Sequence, residues 1–180
     1  EFIEKGLDLI KVSSTTNGFE NLPENGGVVI VANHPLGGLD GVTLMKEIGK
    51  IRRDIKFIVN DILNQFEPFN SLFIPVNKHG SNSRESIMRI DELYQSDQCI
   101  VIFPAGLVSR KQKEKVEDLE WKKSFIAKVK KYKKPIYPVH ISGQNSKRFY
   151  KAANIRKKMG IKINLEMLLL ADEMFKQQGS

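Results

Sequence analysis

"VVIVANHPLGGLDG", residues 28–41, begins as an unbroken run of small and β-branched apolar residues and ends in a proline, two glycines and an aspartate. A strand with one wet face alternates apolar and polar residues, whereas a strand covered on both faces does not. Val28 to Ala32 shows no alternation, so it reads as a strand buried on both sides. The same texture returns in IKFIVN (55–60), SLFIPVN (71–77), QCIVIFPAG (98–106) and KPIYPVHISG (134–143). Between these runs lie stretches with helical spacing: GVTLMKEIGKIRR (41–53), DILNQF (61–66, with Asp61 as its cap), RESIMRIDELYQ (84–95) and a helix from Leu119 to Lys131. FIEKGLDLIKV (2–12) opens the chain as an amphipathic helix, and two more helical stretches follow Gly143. Apolar strands each followed by a helix predict an α/β domain with a mostly parallel central sheet covered by helices.

The bulk properties narrow the class. No repeat, low-complexity stretch or linker divides residues 1–180, which predicts a single domain large enough for a real core. The chain starts at Glu1 rather than Met and ends in LLLADEMFKQQGS, so it is expected to be a segment of a longer chain, lacking a finishing strand. Hydrophobic residues make up 41% and charged residues 28%, which excludes disordered and fibrous classes. One cysteine, Cys99, lies within an apolar run and reads as a small buried hydrophobe in a reducing compartment. No apolar run reaches the roughly 18 residues of a spanning helix, and no signal peptide is visible.

Charge is unevenly placed. Residues 1–109 hold 10 Lys/Arg against 14 Asp/Glu, net −4, while residues 110–180 hold 19 against 7, net +12. A basic half attracts an anionic partner such as acidic lipid headgroups or an acidic protein. Nucleic acid is not expected, since no helix-turn-helix, RNP-type or zinc-finger pattern accompanies the charge. The basic segments 110–134 and 147–158 are expected to form one positive surface near the active-site mouth.

Ligands of open α/β sheets sit at the carboxyl ends of strands, where NHPLGGLD (33–40) and FPAGLVSR (103–110) fall. The three histidines form no H-E-x-x-H or Cys/His spacing, so no metal is expected, and no G-x-S-x-G elbow is present. What remains is a pair, His34 and Asp40. A carboxylate fixes an imidazole's tautomer while the other ring nitrogen takes a proton from a hydroxyl. Alone, a His and an Asp in a turn are more often a capping interaction. Trp121, Phe125 and Ile126 lie at helical spacing and read as core packing, and His79 and His140 as a turn and a strand residue without catalytic roles.

In order and approximate spacing, NHPLGGLD, SLFIPVN, VIFPAGLVSRK and KPIYPVHISG resemble the four blocks of the glycerolipid (lysophospholipid, 1-acylglycerol-3-phosphate acyltransferase-like) acyltransferase family, from about Val28 to Gly143. The resemblance implies an acyltransferase-like α/β fold. It also implies acyl transfer from an acyl carrier protein or coenzyme A thioester, as co-substrate, to a hydroxyl of a membrane lipid, with no further cofactor. His34 would be the base and Asp40 its orienter. Gly37, Gly38, Pro104, Ala105 and Gly106 would shape the substrate site, with exposed amides of that Pro–Gly turn facing an oxyanion, and Lys78, Ser109 and Arg110 would border it. Such an enzyme would work at the cytoplasmic face of the membrane, held peripherally by anionic lipid.

Three departures matter. The family's first block spaces His and Asp by four residues, and this chain has five, which would turn the carboxylate about 100° away on a continuous helix. Gly37 and Gly38 can absorb the extra residue if Pro35 to Leu39 includes non-helical backbone. The family's third-block Glu and Arg are Ala105 and Val108, and its second-block Arg is Val76, with Lys78, Arg110 and Lys111 as out-of-register substitutes. The family associates those arginines with the acceptor's phosphate. Their loss is similar to a bacterial, hemolysin-like branch that includes O-acyltransferases of amino-acid-containing lipids. A non-catalytic lipid-binding module of the same fold is the alternative if the longer spacing parts His34 from Asp40.

Overall fold

The computed structural model describes residues 13–60, 71–76, 84–161, 168–170 and 172–173. Its sheet contains β1 (Val28–Ala32), β2 (Ile55–Asn60), β3 (Phe73–Val76), β4 (Cys99–Ile102) and β7 (Ile136–Val139), in the order β3-β2-β4-β1-β7. Every pairing in it is parallel. The helices are α1 (Gly38–Gly49), α2 (Arg84–Gln95), α3 (Ser124–Tyr132) and α4 (Lys147–Lys158). The expected α/β architecture is therefore present. The helices expected over 2–12 and 61–66 lie outside the described residues, as do the turn at 78–83 and most of the last helical stretch.

β1 shows why its sequence has no alternation. All five of its residues are at most 1% exposed. Val28, Ile30 and Ala32 pack on one face with Leu44, Met45 and Ile48 of α1. Val29 and Val31 pack on the other with Leu93 and Tyr94 of α2 and Val129 of α3. Each such side chain contributes about 1.5–3 kcal/mol by leaving water, so a polar residue on either face would be costly. Cys99 is also fully buried, and burial pushes its thiol up to about 12, consistent with a packing role.

At the amino end of the sheet the buried guanidinium of Arg52 ties loops together. It bonds both oxygens of Asp54 at 2.8 and 2.6 Å and the carbonyls of Pro23, Gly26 and Asp97 at 3.0, 2.9 and 3.1 Å. Asp54 is held below the usual carboxylate range, chiefly by its hydrogen bond to Arg52.

Two elements differ from the sequence expectation. The basic run after β4 forms an antiparallel hairpin, β5 (Arg110–Gln112) with β6 (Lys115–Glu117), turning through Lys113 at φ 52°. Helix α3 begins at Ser124 rather than Leu119, because residues 118–122 are engaged elsewhere: the amide of Lys122 donates to the Pro104 carbonyl at 3.1 Å. Trp121 and Ile126 are consequently 37% and 36% exposed and are not core residues, whereas Phe125 does pack inward.

Candidate active site

β1 stops at Ala32, where its pairing with β7 ends. Asn33 then acts as a side-chain extension of the ladder, accepting from the Ile141 amide at 2.6 Å and donating to the Ile141 carbonyl at 2.8 Å. His34 leaves the sheet's carboxyl edge directly after it. Pro35–Gly37 form a non-helical turn, and α1 starts at Gly38. Gly37 sits at φ 78°, ψ −129°, a backbone state that L side chains rarely adopt. A Cβ there would also approach Leu170 to 3.0 Å and Val108 to 3.2 Å. Delaying the helix by one turn of glycine backbone absorbs the fifth spacer residue. Asp40 becomes the third residue of α1 and points back at the turn.

His34 Nδ1 and Asp40 Oδ2 lie 2.9 Å apart. The same Oδ2 accepts the amides of Leu36 at 2.8 Å and Gly37 at 3.0 Å. Asp40 is 1% exposed, and its Oδ1 is buried with no hydrogen-bond partner among the described residues. Burial pushes its carboxyl above the ordinary range, against the opposing pull of His34 and the two amides. A carboxylate with three donors on one oxygen holds the Nδ1–H tautomer and leaves Nε2 as the ring's acceptor. The His34 side chain is 18% exposed, and its ring stacks on Phe103 with centroids 4.1 Å apart and planes at 25°.

Phe103 opens the second strand-end segment. Gly106 adopts φ 65°, and its amide closes the Phe103–Gly106 turn onto the Phe103 carbonyl at 2.9 Å. That amide is therefore used within the turn and does not face a ligand. Pro104 and Ala105 are buried beneath it. Further on, the Ser109 amide donates to the His34 carbonyl at 2.7 Å. Asp118 Oδ1 accepts the His34 amide at 3.1 Å and the Ser109 hydroxyl at 2.5 Å. The Trp121 indole N–H donates to Asp118 Oδ2 at 2.9 Å.

The expected site residues thus fall into groups. His34, Gly37, Asp40 and Ser109 converge, with Gly38 exposed as the first residue of α1 and Pro104, Ala105 and Gly106 alongside through Phe103. Arg110 is turned inward: it is 7% exposed, donates to the Val108 carbonyl at 2.6 Å and lies 5.2 Å over the Phe149 ring. Lys78 lies outside the described residues. Sequence reasoning missed Asn33, Phe103, Asp118 and Asn145, whose amide donates to the Pro35 carbonyl at 3.0 Å. Among the described residues no group of three or more His, Cys, Asp or Glu is placed to hold a metal ion.

Two hollows flank these segments. An apolar groove of about 350 Å³ runs between α2 and α3, lined by Ile87, Ile90, Phe103, Pro104 and Phe125, with Lys122 and Lys128 among its walls. A second cleft of about 440 Å³ lies between the β5–β6 hairpin and α4, lined by Lys111, Glu114, Lys115, Asn145, Lys147 and Tyr150. Lys122 and Lys128 thus line one hollow, and Lys111 and Lys115 with Lys147 of segment 147–158 line the other, so these cations are divided between two hollows rather than gathered on the one surface expected. No described helix is long and apolar enough to cross a membrane.

A lyso-glycine lipid O-acyltransferase of Phocaeicola vulgatus is 44% identical over 179 residues, covering 99% of this chain and 64% of that protein. One of Bacteroides thetaiotaomicron is 42% identical over 179 residues, covering 99% of this chain and 66% of that protein. The chain thus spans about two thirds of the length of these curated relatives. No solved structure matches. The family model described as "Acyltransferase" matches residues 1–180, and with relatives at this identity over nearly its whole length the chain belongs to that acyltransferase family.

Proposed function

We propose that the protein moves a fatty acyl group from a thioester, on acyl carrier protein or coenzyme A, to the hydroxyl of a lysolipid, with lyso-glycine lipid as the preferred acceptor. The observation that carries this reading is the His34–Asp40 contact of 2.9 Å on a ring stacked beside an apolar groove. His34 Nε2 takes the acceptor's hydroxyl proton as the oxygen attacks the thioester carbonyl. Asp40 keeps Nδ1 protonated and stabilises the imidazolium. The tetrahedral intermediate then expels the thiolate, which takes the proton from His34. Ester and free thiol are the products, and the proton count closes.

Two departures from the family's blocks support this acceptor. Val76 and Val108 stand where phosphate-handling arginines are expected, and Arg110 is buried against Phe149. A glycine-bearing lipid acceptor makes no call on phosphate-binding arginines, in keeping with relatives that are lyso-glycine lipid O-acyltransferases. The groove next to Phe103 suits the acyl chain. The basic half suits an anionic bilayer or an acidic carrier, with each Lys or Arg near such a surface contributing about 1 kcal/mol. This fits an enzyme held peripherally at the cytoplasmic membrane face. A non-catalytic module would require the longer spacing to part the ring from the carboxylate, and the short contact favours the enzyme.

The test is turnover of purified full-length protein with palmitoyl thioesters of both carriers and a panel of lysolipids, read as released thiol and as acylated lipid by mass spectrometry. Acylation of lyso-glycine lipid is expected, with His34→Ala slower by about 10²–10⁴. A folded protein that acylates no lysolipid from either thioester refutes the reading.

A further inference from the structure

We infer that Asp118 is a positioning residue for His34, acting through the peptide rather than the ring; this rests on the acyl-transfer reading above. The pairing of β1 with β4 ends at Val31 and that with β7 at Ala32. His34 lies beyond both ladders, so neither its N–H nor its C=O has a strand partner. Segment 109–118 supplies both. Asp118 Oδ1 accepts the His34 amide at 3.1 Å, and the Ser109 amide donates to the His34 carbonyl at 2.7 Å. The Ser109 hydroxyl donates to the same Oδ1 at 2.5 Å, which closes a ring of bonds around the backbone of one residue.

Asp118 is itself held firmly. Its Oδ2 accepts the Trp121 indole N–H at 2.9 Å, and its own carbonyl accepts Gln112 Nε2 at 3.1 Å. Hydrogen bonds to an ionised carboxylate are about twice as strong as neutral ones. His34 is therefore gripped twice, by Asp40 at ring Nδ1 and by Asp118 at the backbone, from opposite ends of the residue. Asp40 fixes one ring nitrogen and Phe103 the ring's plane, but neither holds the backbone from which the ring extends. The backbone grip does, and so fixes where Nε2 points. A base displaced by about 1 Å loses on the order of 10² in rate, so the grip acts on kcat and not on substrate binding.

The test uses the full-length protein with Asp118→Ala, Asp118→Asn and Trp121→Phe. Asn keeps one acceptor oxygen for the His34 amide and the Ser109 hydroxyl, whereas Ala keeps none. Asp118→Ala is expected to lower kcat about 30-fold with KM for thioester and acceptor within about 2-fold, and Asp118→Asn to restore kcat to within about 5-fold of wild type. Trp121→Phe, which removes one bond that holds Asp118 but leaves Oδ1 in place, is expected to lower kcat less than Asp118→Ala does, by about 3–10-fold. Nitrogen-15 histidine spectra supply a readout that needs no substrate: Asp40 keeps the Nδ1–H tautomer in every variant, while the His34 Nε2 signal stays at its wild-type position and width in Asn and shifts and broadens in Ala. An Ala variant with wild-type kcat and imidazole signals overturns the inference, as does an equal loss in Ala and Asn accompanied by raised KM. If Ala does not fold, Asn decides: near-wild-type kcat and spectrum support the inference, and a 30-fold loss with an unchanged spectrum overturns it. A wild type without turnover would refute the acyl-transfer reading, while the imidazole spectra would still report whether Asp118 holds the ring.

Discussion

Asp40→Asn should separate stability from activity, moving them in opposite directions. The three donors around Asp40, from His34, Leu36 and Gly37, converge on one oxygen, and the other oxygen has no described partner. Asn can present its carbonyl to all three donors and place its NH₂ where the unpartnered oxygen was, so the hydrogen-bond count is kept and only the charge is lost. Three charge-assisted bonds become neutral ones, costing about 1 kcal/mol each. Against this, a charged group at 1% exposure no longer has to be desolvated, a penalty of several kcal/mol. Asp40's carboxyl is raised by burial, so desolvation wins and the neutral form is the better fit.

Because the folded carboxyl titrates above its unfolded value of about 3.9, its contribution to stability is complete below that pH and is lost as pH rises through the folded value. The variant's advantage should therefore be absent near pH 4, open on the alkaline side and level off at about 1–2 kcal/mol, or roughly 2–8 °C in Tm for a domain of this size. Activity should fall. At 2.9 Å and an effective dielectric of about 20, imidazolium and carboxylate attract by about 6 kcal/mol. If half of that is realised in the transition state, its loss lowers kcat about 10²-fold. Urea unfolding followed by circular dichroism from pH 4 to 8, beside thiol-release kinetics, measures both. A variant less stable than wild type at pH 7 by an amount independent of pH would refute the desolvation argument, and kcat within 3-fold of wild type would refute the role of the charge.

Gly37→Ala forces a side chain into φ 78° against Leu170 and Val108 and should cost about 1–3 kcal/mol, seen in urea melts, with a parallel loss of turnover as the Pro35–Gly37 turn shifts. Arg52→Met strands the partly exposed Asp54 and three carbonyls and should cost about 3 kcal/mol without changing kcat of the folded fraction. Asp54's depressed carboxyl contributes stability above the ordinary carboxylate range that is lost on acidification, so this variant's acid-side decline should be shallower than wild type's in pH-dependent melts. Ile87→Trp narrows the groove between α2 and α3 and should move acyl preference toward shorter chains in competition assays with mixed thioesters; an unchanged chain-length profile would place the acyl chain elsewhere.

The sheet was legible because burial on both faces writes itself into five consecutive apolar residues, as in Val28–Ala32. The His34–Asp40 pair was legible as a possibility, since paired glycines announce a backbone that a side chain would resist. What closed over the pair was not legible. Asp118 sits in the charged run KEKVEDLEWKK, where local pattern predicts a wet helix. Its partner is the amide of a residue 84 positions away, and together with the Lys122 amide's bond to the Pro104 carbonyl that tie keeps 118–122 out of α3 and leaves Trp121 exposed. Asn33 bridges 108 positions to Ile141 and Asn145 bridges 110 to Pro35, distances at which a single sequence carries no periodicity to read. Arg110 misled for the opposite reason. Its place after FPAG suggested a cation bordering the substrate site, but a guanidinium can lie over a ring and bond backbone carbonyls, as it does over Phe149.

The glycine turn at Pro35–Gly37 also bears on how such sites can be found. A rule stated as His, four residues, Asp counts links of chain, while proton transfer depends on a separation in space. Here the count is longer by one and the separation is still that of a hydrogen bond, because the surplus link is spent in a backbone state open to glycine and the helix simply starts later. Chains that keep a positive-φ glycine two or three positions before the aspartate should tolerate unequal counts, and a search that weighs that glycine alongside the His and Asp should recover members that a fixed-interval pattern discards.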